Sequence, residues 1–266
     1  MSSDATFADD ELPAVDEHLV TPETRYEILD GAVIYVPPAL EPHGTRHSKV
    51  SALVETHVGP AFDVACDMLT RTSKTSDFAP DVSVFPRARN PKTGGRLLEQ
   101  LAFEVVSTES LAHAGRKAAQ LVARGVRRVF AIDVERERAL EWSHELETWG
   151  VLDGQASIED PALAAPLPIA ALVGAASSDD ANARALITKQ NPEIESFGAR
   201  RATEGRVEGR VEGRAEAVLE ILAARDIAVT SAERTRVLDE RDLGRLQRWI
   251  ARATICSTAA ELFAEA

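Results

Sequence analysis

A-P-D-V-S-V-F (79–85), L-A-F-E-V-V-S (101–107) and G-V-R-R-V-F-A-I-D-V (125–134) are the three apolar runs that decide the fold. Val82 and Val84, followed by Pro86, make 81–86 a strand that ends early, because proline cannot donate to a ladder. N-P-K-T-G-G (90–95) has turn composition. Residues 100–107 are rich in Val and Phe on both faces, as in a strand covered on both sides. The spacing predicts a helix over 111–124 and a third strand over 126–134. Downstream, the charged Glu135–Arg138 closes a hairpin to Leu140–His144, with one more strand near 147–152. Upstream, Tyr26–Leu29 and Ala32–Tyr35 flank Asp30-Gly31, a strong hairpin signal. A helix begins near Thr45, with His47, Val50, Leu53, Val54 and Val58 as its apolar stripe, and 62–76 reads as weak strand or loop. One helix before the sheet and one after its central pair indicate a mixed α/β domain.

The remainder of the chain is organised around that domain. Residues 1–20 mix acids with small residues and read as a mobile acidic leader. Thr21-Pro22-Glu23 has the order of a helix cap with Pro at the first helical position. Pro161–Ala176, with prolines at 161, 166 and 168, is too short to span a bilayer and reads as a loop and a short helix. The α/β domain therefore covers 21–175, and 176–203 reads as a linker. From Glu204 runs E-G-R-V-E-G-R-V-E-G-R-A-E, whose four-residue period puts its arginines on one slowly drifting helical stripe and its glutamates on another. Gly205, Gly209 and Gly213 each weaken such a helix by roughly 1 kcal/mol relative to alanine, so it should fray unless a partner helix approaches closely. The end of the chain, with Leu219, Leu222, Leu238, Leu243, Leu246, Trp249, Ile250 and Leu262, reads as short amphipathic helices. Residues 204–266 thus form a helical arm through which the chain could form a homo-oligomer.

Of 266 residues, 43 are acidic and 30 basic, a net charge of −13 that argues against a general nucleic-acid coat. A hydrolase acting on nucleic acid remains compatible, since a metal ion and local cations offset an acidic site. Two cysteines without C-x-x-C spacing argue against a disulfide framework or a zinc knuckle and suit a reducing, cytoplasmic setting. No secretory signal or membrane span is expected.

Asp81 opens one strand and Glu104 lies in the middle of the next. Two such carboxylates offer the hard oxygen ligands suited to Mg²⁺, with Mn²⁺ as a substitute. An ion held there could polarise a phosphoryl oxygen and acidify a bound water. A nearby ammonium would neutralise developing charge. In a strand Glu104 and Val106 share a face, so a lysine at 106 would be the simple solution. Valine stands there, and the candidate moves to the next helix. Its stripe is Ala114, Ala118, Leu121 and Val122, with Lys117 on the border and Arg116 well away from it.

The Y-E-I-L-D-G hairpin (26–31), the His-led helix, P-D-V-S-V (80–84), E-V-V-S (104–107), and a lysine helix ending in G-V-R-R-V-F-A-I-D (125–133) together resemble the Uma family of putative restriction endonucleases, within the PD-(D/E)XK superfamily. The resemblance spans roughly 20–175, and the repeat-plus-helices tail is similar to the arm of some members. It implies a restriction-endonuclease-like α/β fold, a mixed sheet core flanked by helices with a helical C-terminal arm. It also implies an endonuclease activity in which metal-activated water hydrolyses DNA. By the family pattern Asp81 and Glu104 would be metal ligands, Lys117 the migrated catalytic lysine, and Glu27 would lie near the metal.

Plainer roles are open to the same residues. Glu104 and Lys117 could form a purely structural ion pair, and Glu27 could face solvent on an edge hairpin. His47 reads as a buried, hydrogen-bonded histidine rather than a ligand. His43, His57, His113 and His144 show no ligand-like spacing, so no zinc site is expected. Arg71, Lys74, Arg87, Arg89, Lys92 and Arg96 either grip phosphates beside the site or are ordinary loop charges. A nuclease-fold module working in binding or assembly through its helical arm is the competing function.

Overall fold

The computed structural model describes residues 12–21, 24–107, 110–174 and 178–264. They divide into two units, residues 1–191 and 192–266. The first is a mixed α/β unit; the second is helical.

The first unit opens with β1 (Tyr26–Leu29) and β2 (Ala32–Tyr35). Asp30 and Gly31, both with positive φ (53° and 80°), make the tight turn that Asp-Gly favours. Helix α1 (Glu41–His57) follows, beginning at the Pro42 turn rather than at Thr45. Strands β3 (Phe62–Cys66), β4 (Thr70–Ser73), β5 (Ser76–Phe78), β6 (Val82–Pro86) and β7 (Leu101–Val106) lead to α2 (Leu111–Arg124). Ser110 caps α2 by accepting from the His113 N–H, and Gly125, at φ 115°, ends it. The chain continues as β8 (Arg128–Asp133), β9 (Arg138–Ser143), β10 (Thr148–Val151), the short pair β11 (Ser157–Ile158) and β12 (Leu167–Pro168), α3 (Ile169–Val173) and α4 (Ser178–Thr188).

Six strands form one sheet in the order β10-β9-β8-β7-β6-β3, with β7 and β8 parallel through α2 and the other pairs antiparallel. A smaller sheet has the order β2-β1-β5-β4. Strand alternation divides β7 between two helices. Leu101, Phe103 and Val105 join Val50, Leu53 and Val54 of α1 in the main core. Ala102 packs with Ala118 and Leu121 of α2, and Val106 with Ala114. Glu104, between Ala102 and Val106, therefore faces α2.

Two expectations about the flanks of the α/β unit are corrected. Residues 12–20 are not a mobile leader, whereas 1–11 lie outside the described residues. Val15 and Val20 are buried. The N–H groups of Leu19 and Val20 donate to the buried Asp77 carboxylate (2.6 and 3.2 Å), and the Val15 carbonyl accepts from the Arg71 N–H. Small residues and acids hid this anchoring because its partners lie about sixty residues away. The expected cap at 21–23 falls largely on residues 22–23, outside the described residues. Within the expected linker, 176–203, the described residues 178–203 are not bare: α4 packs Ala181 into the main core, and a new helix begins at Pro192.

That helix, α5 (Pro192–Ala224), runs unbroken through the Gly-Arg repeat. A Cβ placed on Gly205, Gly209 or Gly213 would meet nothing within 4 Å. Helix continuity here rests on the C-terminal half, where Val211, Ala215, Val218 and Leu222 are buried. They pack with α6 (Ser231–Leu238), α7 (Leu243–Ala253) and a 3₁₀ turn (Ala259–Phe263) around Val237, Leu246, Trp249 and Leu262. Leu238, expected on the apolar face, is exposed. Among the described residues no helix is long and apolar enough to cross a membrane, and both cysteines are free thiols.

Candidate active site

Pro80 and Asp81 lead into β6, whose register with β7 pairs Val82 with Phe103 and Ser83 with Ala102. One further step along the same register sets Asp81 opposite Glu104. The ladder ends there, and the Asp81 side chain replaces it: Oδ2 accepts the Val105 N–H at 2.5 Å. Oδ1 lies 3.6 Å from His43 Nε2. Burial alone would push this carboxyl up. The hydrogen bond from His43, the positive charge of Lys117 and the Val105 N–H outweigh burial and hold it below the usual carboxylate range.

Glu104 and Lys117 are both buried. Lys117 reaches across from α2 between the two α2-facing apolar clusters, as its border position on the helix allows. Its Nζ donates to the Ala79 carbonyl at 2.9 Å and to Glu104 Oε2 at 3.2 Å. It also lies 3.5 Å from Glu27 Oε1 and 5.5 Å from the Phe78 ring centroid. Glu27, from β1, is buried rather than solvent-facing, and its Oε1 accepts the Ala79 N–H at 2.9 Å. Arg116 instead lies on the exposed side of α2, with its guanidinium at the His113 ring.

The smaller sheet thus delivers Glu27, the main sheet Asp81 and Glu104, and the following helix Lys117. Three acidic side chains gather about one ammonium, a formal excess of negative charge in a largely buried place. Such an oxygen donor set suits a divalent cation such as Mg²⁺. Asp67, just after β3, adds a fourth acid at the rim, its N–H donating to the Asp81 carbonyl at 3.2 Å. Desolvation and the Asp81 charge raise its carboxyl above the usual range, against the opposing pull of His47, His43 and Lys117.

Sequence reasoning missed the histidines. His43 and His47, one turn apart on α1, stand beside Asp81, with ring centroids 6.0 Å apart. His47 Nε2 donates to the Asp81 carbonyl at 2.5 Å. Among the described residues, His43, His47 and Asp81 are the one group of three potential metal ligands with all ligand atoms within 4.8 Å of one another. Glu27, Asp81 and Glu104 do not form such a group. The H-x₃-H spacing, which puts both rings on one helical face, was the available signal.

The flanking cations separate. Arg71 and Arg96 are buried and structural. Arg71 donates to the Glu17, Ser73 and Lys74 carbonyls, and Arg96 to Glu99, Thr70 and the Leu69 carbonyl. Neither is available to a phosphate. Lys74, Arg87, Arg89 and Lys92 are exposed, with Arg87 paired to Asp63 at 2.7 Å.

Residues 10–167 match the family model Uma2, described as a putative restriction endonuclease. Among solved structures, the chain is similar to a putative nuclease belonging to DUF820 from Anabaena variabilis, at 18% identity and a TM-score of 0.47, covering 56% of this chain and 89% of that one. No curated protein matches the chain.

Proposed function

Since the chain belongs to the Uma2 family of putative restriction endonucleases, we propose that it is a metal-dependent endonuclease hydrolysing DNA phosphodiester bonds. The observation that carries this reading is the buried Lys117 ammonium, in contact with Glu104 and Glu27, on the face of the sheet where the register sets Asp81 against Glu104.

Asp81 and Glu104 would hold Mg²⁺ or Mn²⁺, with Glu27 beside them. When bound, the ion supplies an acidified water and neutralises charge on the phosphoryl oxygens. The protein's own groups do the rest. Lys117, bonded to Glu104 and the Ala79 carbonyl and close to Glu27, would steer the nucleophilic oxygen and stabilise charge as the phosphorus–oxygen bond to the leaving group breaks. Glu27 fixes Lys117 and, through the Ala79 N–H, the turn that carries Asp81. Burial of Glu104 keeps these interactions strong by excluding bulk water. Lys74, Arg89 and Lys92 are exposed cations that can contact DNA phosphates, subject to salt.

Plasmid nicking in the presence of Mg²⁺ or Mn²⁺ tests the reading. Cleavage is expected from the wild type and from neither Asp81→Ala nor Glu104→Ala. Equal cleavage by all three proteins would refute it.

One observation favours a second role, assembly through the arm. Along α5, Phe197 and Val207 are exposed apolar side chains, and the open sides of Gly205, Gly209 and Gly213 leave room for a second helix. Sedimentation velocity of the full chain against a Gly209→Leu, Gly213→Leu variant decides it. A wild type that is monomeric at all concentrations removes this role.

A further inference from the structure

The three-residue group on α1 and β6 has a donor chemistry that Mg²⁺ does not prefer. Two imidazoles and one carboxylate suit borderline first-row ions, whereas Mg²⁺ retains water and oxygen ligands. We propose that His43, His47 and Asp81 bind a divalent transition ion of the Zn²⁺ and Co²⁺ class, through donors that do not include Glu104 or Lys117.

Geometry supports such a site in four ways. The i,i+4 spacing in the first two turns of α1 directs both rings to one face, and Pro42 in the first turn fixes where that helix starts. All three ligand atoms lie within 4.8 Å of one another. Metal bonds of about 2.0–2.1 Å at tetrahedral angles need separations of roughly 3.4 Å, so the set closes when the His47 ring turns its Nε2 away from the Asp81 carbonyl and carries its proton on Nδ1 instead. Ser107 Oγ lies 3.4 Å from His43 Nδ1 and can hold that ring, leaving Nε2 directed at Asp81. Finally, an open cavity of about 470 Å³ lined by Gly44, His47, Ser48, Ser51 and Cys66 gives solvent a route to the cluster. Three protein ligands leave a position for water, so the ion would be exchangeable.

The proposal needs the fold but not the nuclease activity, although Asp81 serves in both. It is tested by titrating the full chain with Co²⁺ and Zn²⁺, using calorimetry and the visible Co²⁺ spectrum. One equivalent should bind to the wild type. A His43→Asn, His47→Asn variant, shown by circular dichroism to fold, should bind at least about a hundredfold more weakly. Glu104→Gln should bind within a few-fold of wild type. Spin-echo modulation of the Cu²⁺-loaded wild type should show two imidazole nitrogens, a readout that needs no variant. Absence of stoichiometric binding, equal binding by the double variant, loss on Glu104→Gln, or fewer than two coordinated imidazoles would each overturn it. Failure of the nuclease reading looks different: no nicking with Mg²⁺ by a protein whose Co²⁺ binding is intact.

Discussion

Two buried charged clusters of the α/β unit are built on opposite principles. In the first, Arg96 faces Glu99 at 3.0 Å, while Thr70 donates to Glu99 at 2.6 Å and accepts from Arg96 at 2.7 Å. One cation meets one anion, and the carbonyls of Leu69, Val15 and Leu97 accept further guanidinium N–H groups. In the second, Lys117 meets Glu27 and Glu104 with Asp81 nearby, so acids outnumber the amine. A balanced pair ties chain segments together. An acid-rich one holds room in its electrostatics for a further cation, which is why we assign the proposed chemistry to the second cluster and not to the first.

The sharpest break of that contrast is Glu104→Gln. It should remove Mg²⁺-supported nicking by at least about a hundredfold, because a proposed ligand of the activating ion is lost. Its unfolding free energy should stay within about 1 kcal/mol of wild type, because Lys117 retains Glu27 and the Ala79 carbonyl. Nicking assays and urea unfolding on the same preparation measure both. Glu99→Ala should do the reverse, losing about 3–5 kcal/mol by stranding a buried guanidinium. A Glu99→Ala protein as stable as wild type would dissolve the distinction.

The helical unit sharpens the comparison from outside, since the side chains packed in its core are apolar. Replacing Gly205, Gly209 and Gly213 with alanine should raise the stability of α5 by up to about 1 kcal/mol each, as nothing stands within 4 Å of the added methyls. Thermal melts of single and triple variants test this; a destabilised triple variant would mean the glycines accommodate a partner.

The smallest effect is a slope. His57 is buried, its ring bonded to the Leu53 carbonyl at 2.7 Å. Burial, opposed by that bond and aided by the Lys189 charge, lowers its pKa in the folded protein. The unfolded chain, titrating near 6.5, therefore takes up a proton that the native state does not. Stability from this residue is full above that value and declines as pH falls through it. Urea midpoints between about pH 7 and 5 should fall more steeply for wild type than for His57→Gln.

Local patterns were legible where local physics dominates. The Asp-Gly hairpin, the apolar strands at 82–86, 101–106 and 128–133, and the amphipathic helix over 111–124 follow from turn chemistry and side-chain period. The helical periodicity that put Lys117 on the apolar border, and Arg116 away from it, was readable for the same reason. Anchoring of residues 12–20 was not, because Asp77 and Arg71 become partners only after folding. Nor was α4 recognised, whose small alanines pack into a core made elsewhere.

The sequence by itself determined the Asp-Gly hairpin, the central strands with the helix that follows them, the family to which the chain belongs, and the candidate acids and lysine, since residue type and spacing are local properties. Only the tertiary structure decided that Arg71 and Arg96 serve the scaffold, that Glu27 turns inward to Lys117, and that two histidines on α1 meet Asp81. Those outcomes depend on which backbone carbonyls and carboxylates are desolvated side by side, and burial is a property of the assembled fold rather than of any segment.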